Sequence, residues 1–311
     1  MIISASRRTD VPCYYGEWFF RRLREGFVCV RNPMNFHQVS RISLGPEALD
    51  GIVFWSKNPL PMAHRLGELG ELPYYLQITL TPYGPEVEPG LPDKAAVLIP
   101  GLQALARQIG PERIIWRYDP ILLTGTYTEE FHLEAFRHMA ARLRGCTGRC
   151  VISFVDLYQS TLRHGGGLGL RPISLEEMLR LAGRLAEIAE KNTMRMTSCS
   201  EAVDLSSVGI AHGQCIDRQL LEQLAGYPLE LRQDPHQRGA CGCVESIDIG
   251  MYDTCRSGCK YCYATHSHGR LTQNLADHDP DSPLLCGRLL PEDRVTERAV
   301  RSHRSGQLRF L

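Results

Sequence analysis

The sequence predicts an α/β fold, a complete or partial TIM-type (β/α) barrel, on three observations. Short apolar runs rich in Ile, Val and aromatic residues recur through the first two-thirds of the chain. Amphipathic stretches with helical start and stop signals lie between them. Polar clusters close most of the runs. Strands separated by helices imply a parallel sheet, and seven or so such units approach a barrel's complement.

The elements follow in order. Residues 2–6 read as the first strand, followed by a helical pattern over 17–24. Strands are expected at 27–30, 52–55 and 74–80, then a helix over 94–109 that stops at Gly110-Pro111. After a strand at 113–116, Thr128 caps a helix reaching Leu143. A strand at 150–154 comes next, then a long helix capped by Ser174 and ending near Lys191, then a last strand at 194–199. From Gln233 onward the texture changes to Gly, Cys, His, Asp and Pro. The expected division is therefore 1–232 as barrel units and 233–311 as a cysteine-rich segment that packs on the barrel and completes it. Residues 163–169, Arg-His-Gly-Gly-Gly-Leu-Gly, read as a flexible loop or lid without phosphate-loop spacing. The charged tail, 288–311, reads as a peripheral helix or partly disordered segment.

Barrels of this type keep their chemistry at the C-terminal strand ends. Here those ends read Ser6-Arg7-Arg8-Thr9-Asp10, Arg31-Asn32-Pro33, Ser56-Lys57-Asn58-Pro59, Thr79-Leu80-Thr81, Arg117-Tyr118-Asp119-Pro120, Asp156 and Ser198-Cys199-Ser200-Glu201. Turn chemistry accounts for Asn, Asp, Pro and Ser but does not ask for Arg or Lys. At least three of Arg7, Arg8, Lys57, Arg117 and Asp119 are thus expected to line one pocket, with Asp10, Asp119 and Asp156 orienting the cations.

Composition narrows the classes of function. The chain has 311 residues, 43% of them hydrophobic, enough for one large core or two modest ones. Its 35 basic and 35 acidic residues cancel, so bulk attraction to nucleic acid or membrane is not indicated. No run approaches the roughly 20 apolar residues of a membrane span, and the opening Met1-Ile-Ile-Ser-Ala-Ser-Arg-Arg is not a secretory leader. Twelve cysteines without an export signal point to a reducing cytoplasm and to thiols that bind metal.

Cys255-Arg-Ser-Gly-Cys259-Lys-Tyr-Cys262 holds three cysteines in a spacing that can turn three thiolates onto one iron–sulfur cube and leave its fourth iron open. A zinc loop or free thiols is the alternative, although no second Cys-x2-Cys knuckle follows. The pattern resembles the radical S-adenosylmethionine (SAM) signature, with the aromatic Tyr261 just before the last cysteine. Along the whole chain, SASRRTD, FWSKNP, WRYDPI, TSCSE and CGCVESIDIGMYDTCRSGCKYCYA resemble one mainly bacterial family, domain of unknown function 1848. Its C-terminal cysteines are likened to the radical-SAM motif, and it brings no established substrate.

In radical-SAM proteins the cysteine loop follows the first barrel strand, whereas here it stands near the C-terminus. A circular permutation would reconcile the two: a strand around 247–249 would take the first position and residues 2–6 the second. The resemblance then implies an iron–sulfur enzyme that cleaves SAM reductively and abstracts hydrogen from an unknown substrate. Cys255, Cys259 and Cys262 would hold a 4Fe–4S cluster and Tyr261 would meet the adenine. Arg7, Arg8, Lys57 and Arg117 would bind the SAM carboxylate or a small anionic substrate. An electron donor such as flavodoxin or ferredoxin would be its partner. A glycine-rich, acidic segment of the kind that holds the SAM amino group is not legible.

Cys199, Cys215, Cys241 and Cys243 form a second set, expected to hold an auxiliary 4Fe–4S cluster or else zinc, with buried inert thiols as the alternative. Gly242 would let neighbouring thiolates converge. Cys146 and Cys150 read as structural, and His266 and His268 as exposed loop histidines. Three classes of function stay open: a radical-SAM enzyme, an iron–sulfur redox or non-SAM enzyme, and a zinc-stabilised binding protein.

Overall fold

The computed structural model describes residues 1–157, 161, 165–199, 201, 203–237 and 241–305. Its chain opens with β1 (Ile2–Ala5), α1 (Val11–Tyr14) and α2 (Gly16–Glu25), then β2 (Phe27–Asn32) and β3 (Asn35–Ser43). Next come β4 (Gly51–Ser56), α3 (Leu60–Ala63), β5 (Tyr74–Thr79), α4 (Ile99–Ile109), β6 (Ile114–Ile121) and α5 (Glu129–Leu143). They are followed by β7 (Arg149–Phe154), α6 (Leu175–Lys191), β8 (Arg195–Ser198), β9 (Ala211–His212) and α7 (Arg218–Ala225). The chain closes with β10 (Ile247–Asp248), α8 (His268–Ala276) and β11 (Arg294–Glu297).

Eight strands form one parallel sheet in the order β10-β1-β4-β5-β6-β7-β8-β9. The expected α/β class with a parallel sheet is thus present. Local chemistry sets its helices as expected. The Thr128 side chain accepts from Phe131 N at the start of α5, and Ser174 and Glu177 form a reciprocal capping box on α6. The helical pattern over 94–109 is split into a π turn, Lys94–Leu98, and α4, and Asp93 caps the turn.

Alternation along the strands gives the sheet two different faces. Ile3, Ala5, Ile52, Phe54, Leu76, Ile78, Trp116 and Ile152 share one core with apolar residues of the helices, among them Trp18, Phe19, Leu102, Phe136 and Leu185. Ile2, Val53, Tyr75, Ile115 and Val151 share another with Ile216, Leu220, Leu221, Leu229, Leu231 and Val244. The segment between β9 and β10 therefore covers this second face near the strand starts. Further along the same strands the residues of this parity turn polar: Ser4, Gln77, Arg117, Asp119, Ser153.

Three expectations are corrected. Residues 27–30 do not join the main sheet: β2 pairs antiparallel with β3, which pairs parallel with β11 in a separate three-stranded sheet. The turn at Asn32–Asn35 is too short for a helical crossover, so the hairpin closes on itself. Arg31 consequently pairs with Asp293 away from the main strand ends. The tail contributes the strand β11 instead of a peripheral helix, because β3 offers it a free edge; residues 306–311 lie outside the described ones. Strand β6 runs on to Ile121, so Arg117 and Asp119 stand within the strand and not in a loop after it. Of the loop at 163–169, residues 165–169 form a turn, with Gly165 N bonded to Thr161 O; Arg163 and His164 lie outside the described residues. No helix among the described residues is long and apolar enough to cross a membrane.

Candidate functional site

The cysteine loop is seated by the edge of the sheet. Strand β10 pairs parallel with β1, Ile3 opposite Ile247 and Ser4 opposite Asp248. Asp248 holds the two strand ends together, accepting from Ser4 Oγ, Ser6 Oγ and Arg7 N at 2.7–2.8 Å. Gly250 is required there, since a Cβ would meet Ser6 Oγ at 1.9 Å. Beyond it, Asp253 ties both ends of the loop: its N–H donates to Ala264 O and its carboxylate accepts from His266 N and Ser267 N.

The loop backbone is pinned from outside as well. Gly90 N donates to Ser257 O at 3.0 Å, and Lys260 N donates to Val87 O at 2.9 Å. A Cβ on Gly90 would meet Ser257 Cα and O at 2.8 Å, so only glycine allows this approach. Tyr14 OH meets Ser257 Oγ, and Tyr15 OH donates to Thr254 O. The sulfurs have partners of their own: Ala264 N and Thr265 Oγ1 donate to Cys262, and Cys255 Sγ donates to Ser257 Oγ at 3.4 Å. Burial pushes the Cys255 thiol up to about 11, and pushes Cys259 higher still although Lys57 opposes it. The three thiols act on one another through charge.

Beside Cys259 lies a buried ionic group that the sequence did not single out. Glu88 accepts from Lys57 Nζ at 2.7 Å, from Thr81 Oγ1, from Lys94 Nζ and from Tyr261 OH. Burial would raise Glu88, but Lys57 and Lys94 outweigh it and hold the carboxyl down to about 2. Tyr261 is thereby fixed by its hydroxyl, 2.6 Å from Lys57 Nζ, with its ring edge-on to Tyr83. The proximity of Glu88 and Lys94 to the loop had no sequence signal beyond two charges six residues apart.

The second cysteine set also comes together. Cys199 and Cys215 sulfurs lie 3.1 Å apart. Cys243 Sγ accepts from Ile216 N at 3.4 Å, and Cys215, Cys241 and Cys243 share one buried cluster with Cys199 packed against it; Cys243 holds the Cys241 thiol down to about 7. Gly242 faces Gln214, whose Cγ would lie 3.0 Å from an added Cβ. Arg117, 5% exposed, donates from Nη1 to Cys215 Sγ at 3.0 Å and to Gln77 Oε1, and from Nε and Nη2 to Asp119. All three of its nitrogens thus find partners inside the protein. Asp119 in turn accepts from Ser153 Oγ and acts electrostatically on Lys57 and Tyr263, which links the two cysteine groups. Among the described residues, no three or more His, Cys, Asp or Glu side chains are already arranged as a metal-binding group.

The model of one family, Domain of unknown function (DUF1848), matches residues 2–264. The chain belongs to that family. The match takes in every strand of the main sheet and both cysteine groups of this DUF1848 chain, and stops just after the loop. No curated protein matches the chain.

Most of the sequence-derived residues of the DUF1848 chain stand at the strand ends. Arg8 lies over the Tyr252 ring and 3.8 Å from Asp248. Arg7 stacks on Trp55 and reaches Ser246 Oγ, while its buried Nε has no hydrogen-bond partner. Asp10, raised to about 6 by burial, accepts from Cys13 N and Lys57 N and so joins β1 to the end of β4. Asp156 is exposed, His266 stands exposed beside Tyr252, and His268 opens α8 and is not a loop residue. Cys150 is buried on the helix-covered face and Cys146 at its rim, away from both groups. Ser200 lies outside the described residues.

Proposed function

We propose that this protein is an iron–sulfur enzyme of the radical-SAM kind, built on a circularly permuted partial barrel. One observation carries the reading. The strand before the cysteine loop lies beside β1 at the sheet edge, so a loop near the C-terminus stands among the C-terminal strand ends with Arg7, Lys57 and Asp119. That is where a barrel gathers its chemistry.

Cys255, Cys259 and Cys262 would hold the 4Fe–4S cluster. The residues fit such a group: the donors are soft sulfur, hydrogen-bonded at Cys255 and Cys262, on a backbone held at both ends. When bound, the cluster would supply the electron for reductive cleavage of SAM and so start hydrogen abstraction from substrate. Arg7, with an unused buried Nε, is the cation best placed to take a carboxylate from SAM or from an anionic substrate. Lys57 and Tyr261 hold the loop against the sheet through Glu88. The apolar cluster of Tyr83 and Tyr261 beside the loop would help to keep water from it. A flavodoxin or ferredoxin would deliver the electron.

Anaerobic reconstitution with iron and sulfide tests the reading. The expected result is a brown protein with about four irons on the loop that releases 5′-deoxyadenosine from SAM under a strong reductant. Cys259→Ala should lose both iron and cleavage, and full iron content in that variant overturns the assignment. Iron without SAM cleavage would indicate a non-SAM iron–sulfur enzyme. Zinc in place of iron, with no colour, would indicate a zinc-stabilised binding protein.

A further inference from the structure

We propose that Cys199, Cys215, Cys241 and Cys243 bind a single tetrahedral ion of the zinc class, which fastens the stretches around Cys215 and Cys243 to the second face of the sheet. The inference does not depend on the cysteine loop or on SAM.

Four thiols and no other ionisable donor make up the set, a soft ligand field suited to zinc. They come from three separate places: the end of β8, the connection into α7, and the approach to β10. Yet the fold gathers them in one buried place: Cys199 and Cys215 sulfurs lie 3.1 Å apart, Ile216 N reaches Cys243 Sγ, and Cys241 shares the same core. Around one zinc ion, with Zn–S bonds of about 2.3 Å, tetrahedral sulfurs are near neighbours in just this sense. A four-iron cube would hold its thiolates apart by the width of the cube.

Backbone contacts pin all four. Cys199 N donates to Ile152 O, Cys215 O accepts from Tyr75 OH and Gln77 Nε2, Cys241 O accepts from Gln233 Nε2, and Cys243 O accepts from Asp234 N. Ile216 N donates to Cys243 Sγ at 3.4 Å. Such fixed outer partners are what orient metal ligands. Because the four sulfurs are not already set around one point, binding draws them together by rotation about Cα–Cβ bonds. Each thiol passes its proton to solvent as it binds, and the ion keeps its charge.

Charge supplies the last argument. Four thiolates on a divalent ion leave net negative charge in a buried place. Arg117, itself buried, donates to Cys215 from Nη1 and to Asp119 from Nε and Nη2. The guanidinium is placed to offset that charge, as a positioning residue.

The test uses the full chain carrying Cys255→Ser, Cys259→Ser and Cys262→Ser together, prepared without iron and titrated with cobalt(II), then zinc. About one equivalent should bind, cobalt should show tetrahedral thiolate charge-transfer bands, and zinc should displace it. Adding Cys215→Ser or Cys243→Ser should lose that equivalent. In the unsubstituted chain, zinc should protect these four cysteines from alkylation, mapped by mass, which covers a variant that fails to fold. The proposal is overturned by uptake without thiolate bands, by no stoichiometric uptake, or by iron and sulfide occupying these four cysteines instead of zinc.

Discussion

The loop at 255–262 carries three thiols on one short stretch of backbone, whereas Cys199, Cys215, Cys241 and Cys243 are gathered from well-separated parts of the chain. In the loop the sulfurs act on one another through charge, and their neighbours are backbone N–H groups and a buried Lys–Glu–Lys group. In the second set the Cys199 and Cys215 sulfurs touch, and their main polar neighbour is one guanidinium. The difference teaches that cysteine count does not define a site. A local loop can be prepared for a wide group by its own turns, while a long-range set depends on the fold to close it. The two groups share Asp119 as an electrostatic neighbour and otherwise rest on different supports.

The comparison can be broken at those supports. The largest effect is expected from Glu88→Gln, which leaves Lys57 and Lys94 buried without their carboxylate and should cost about 3–5 kcal/mol. Chemical denaturation measures it, and an unchanged midpoint would sink the idea that this ionic group holds the loop. The pH sign follows. Because the folded carboxyl is held down to about 2, its stabilisation is complete above the ordinary carboxylate value and drains away as pH falls towards about 2. Glu88→Gln should therefore flatten the acid limb of stability against pH.

Gly90→Ala comes next. The added Cβ meets Ser257 backbone at 2.8 Å, which cannot give without moving the loop, so a loss of about 1–3 kcal/mol is expected. Iron retention after reconstitution should fall with it, while metal on the second set should not change. Gly242→Ala sharpens the contrast from the other side. Its Cβ meets only the flexible Gln214 side chain at 3.0 Å, so the change in stability should stay within about 1 kcal/mol. A large loss of zinc affinity in that variant would show that the second set tolerates less movement than its side-chain neighbours suggest.

Much of this was legible in the residues themselves. Six of seven expected strands lie in the main sheet because buried parallel strands announce themselves as apolar runs. The misplaced one, around Val28 and Val30, has the same composition; only the short turn after Asn32 and the partner β3 send it elsewhere. At the site, Lys57 and Arg117 stood out because turns do not require them. Glu88 and Lys94 did not, since an acid and a lysine in a loop are ordinary until both are buried against Tyr261.

Local pattern alone therefore determined the α/β class, the helix caps at Thr128 and Ser174, and the three-cysteine spacing, because periodicity, capping and short spacings act between neighbours in the chain. The tertiary structure decided the rest. It set β10 beside β1, brought Cys199 against Cys215, and turned Arg117 inward to Cys215 and Asp119. Each of these depends on which distant segments share a sheet edge or a buried face, and no local spacing carries that information.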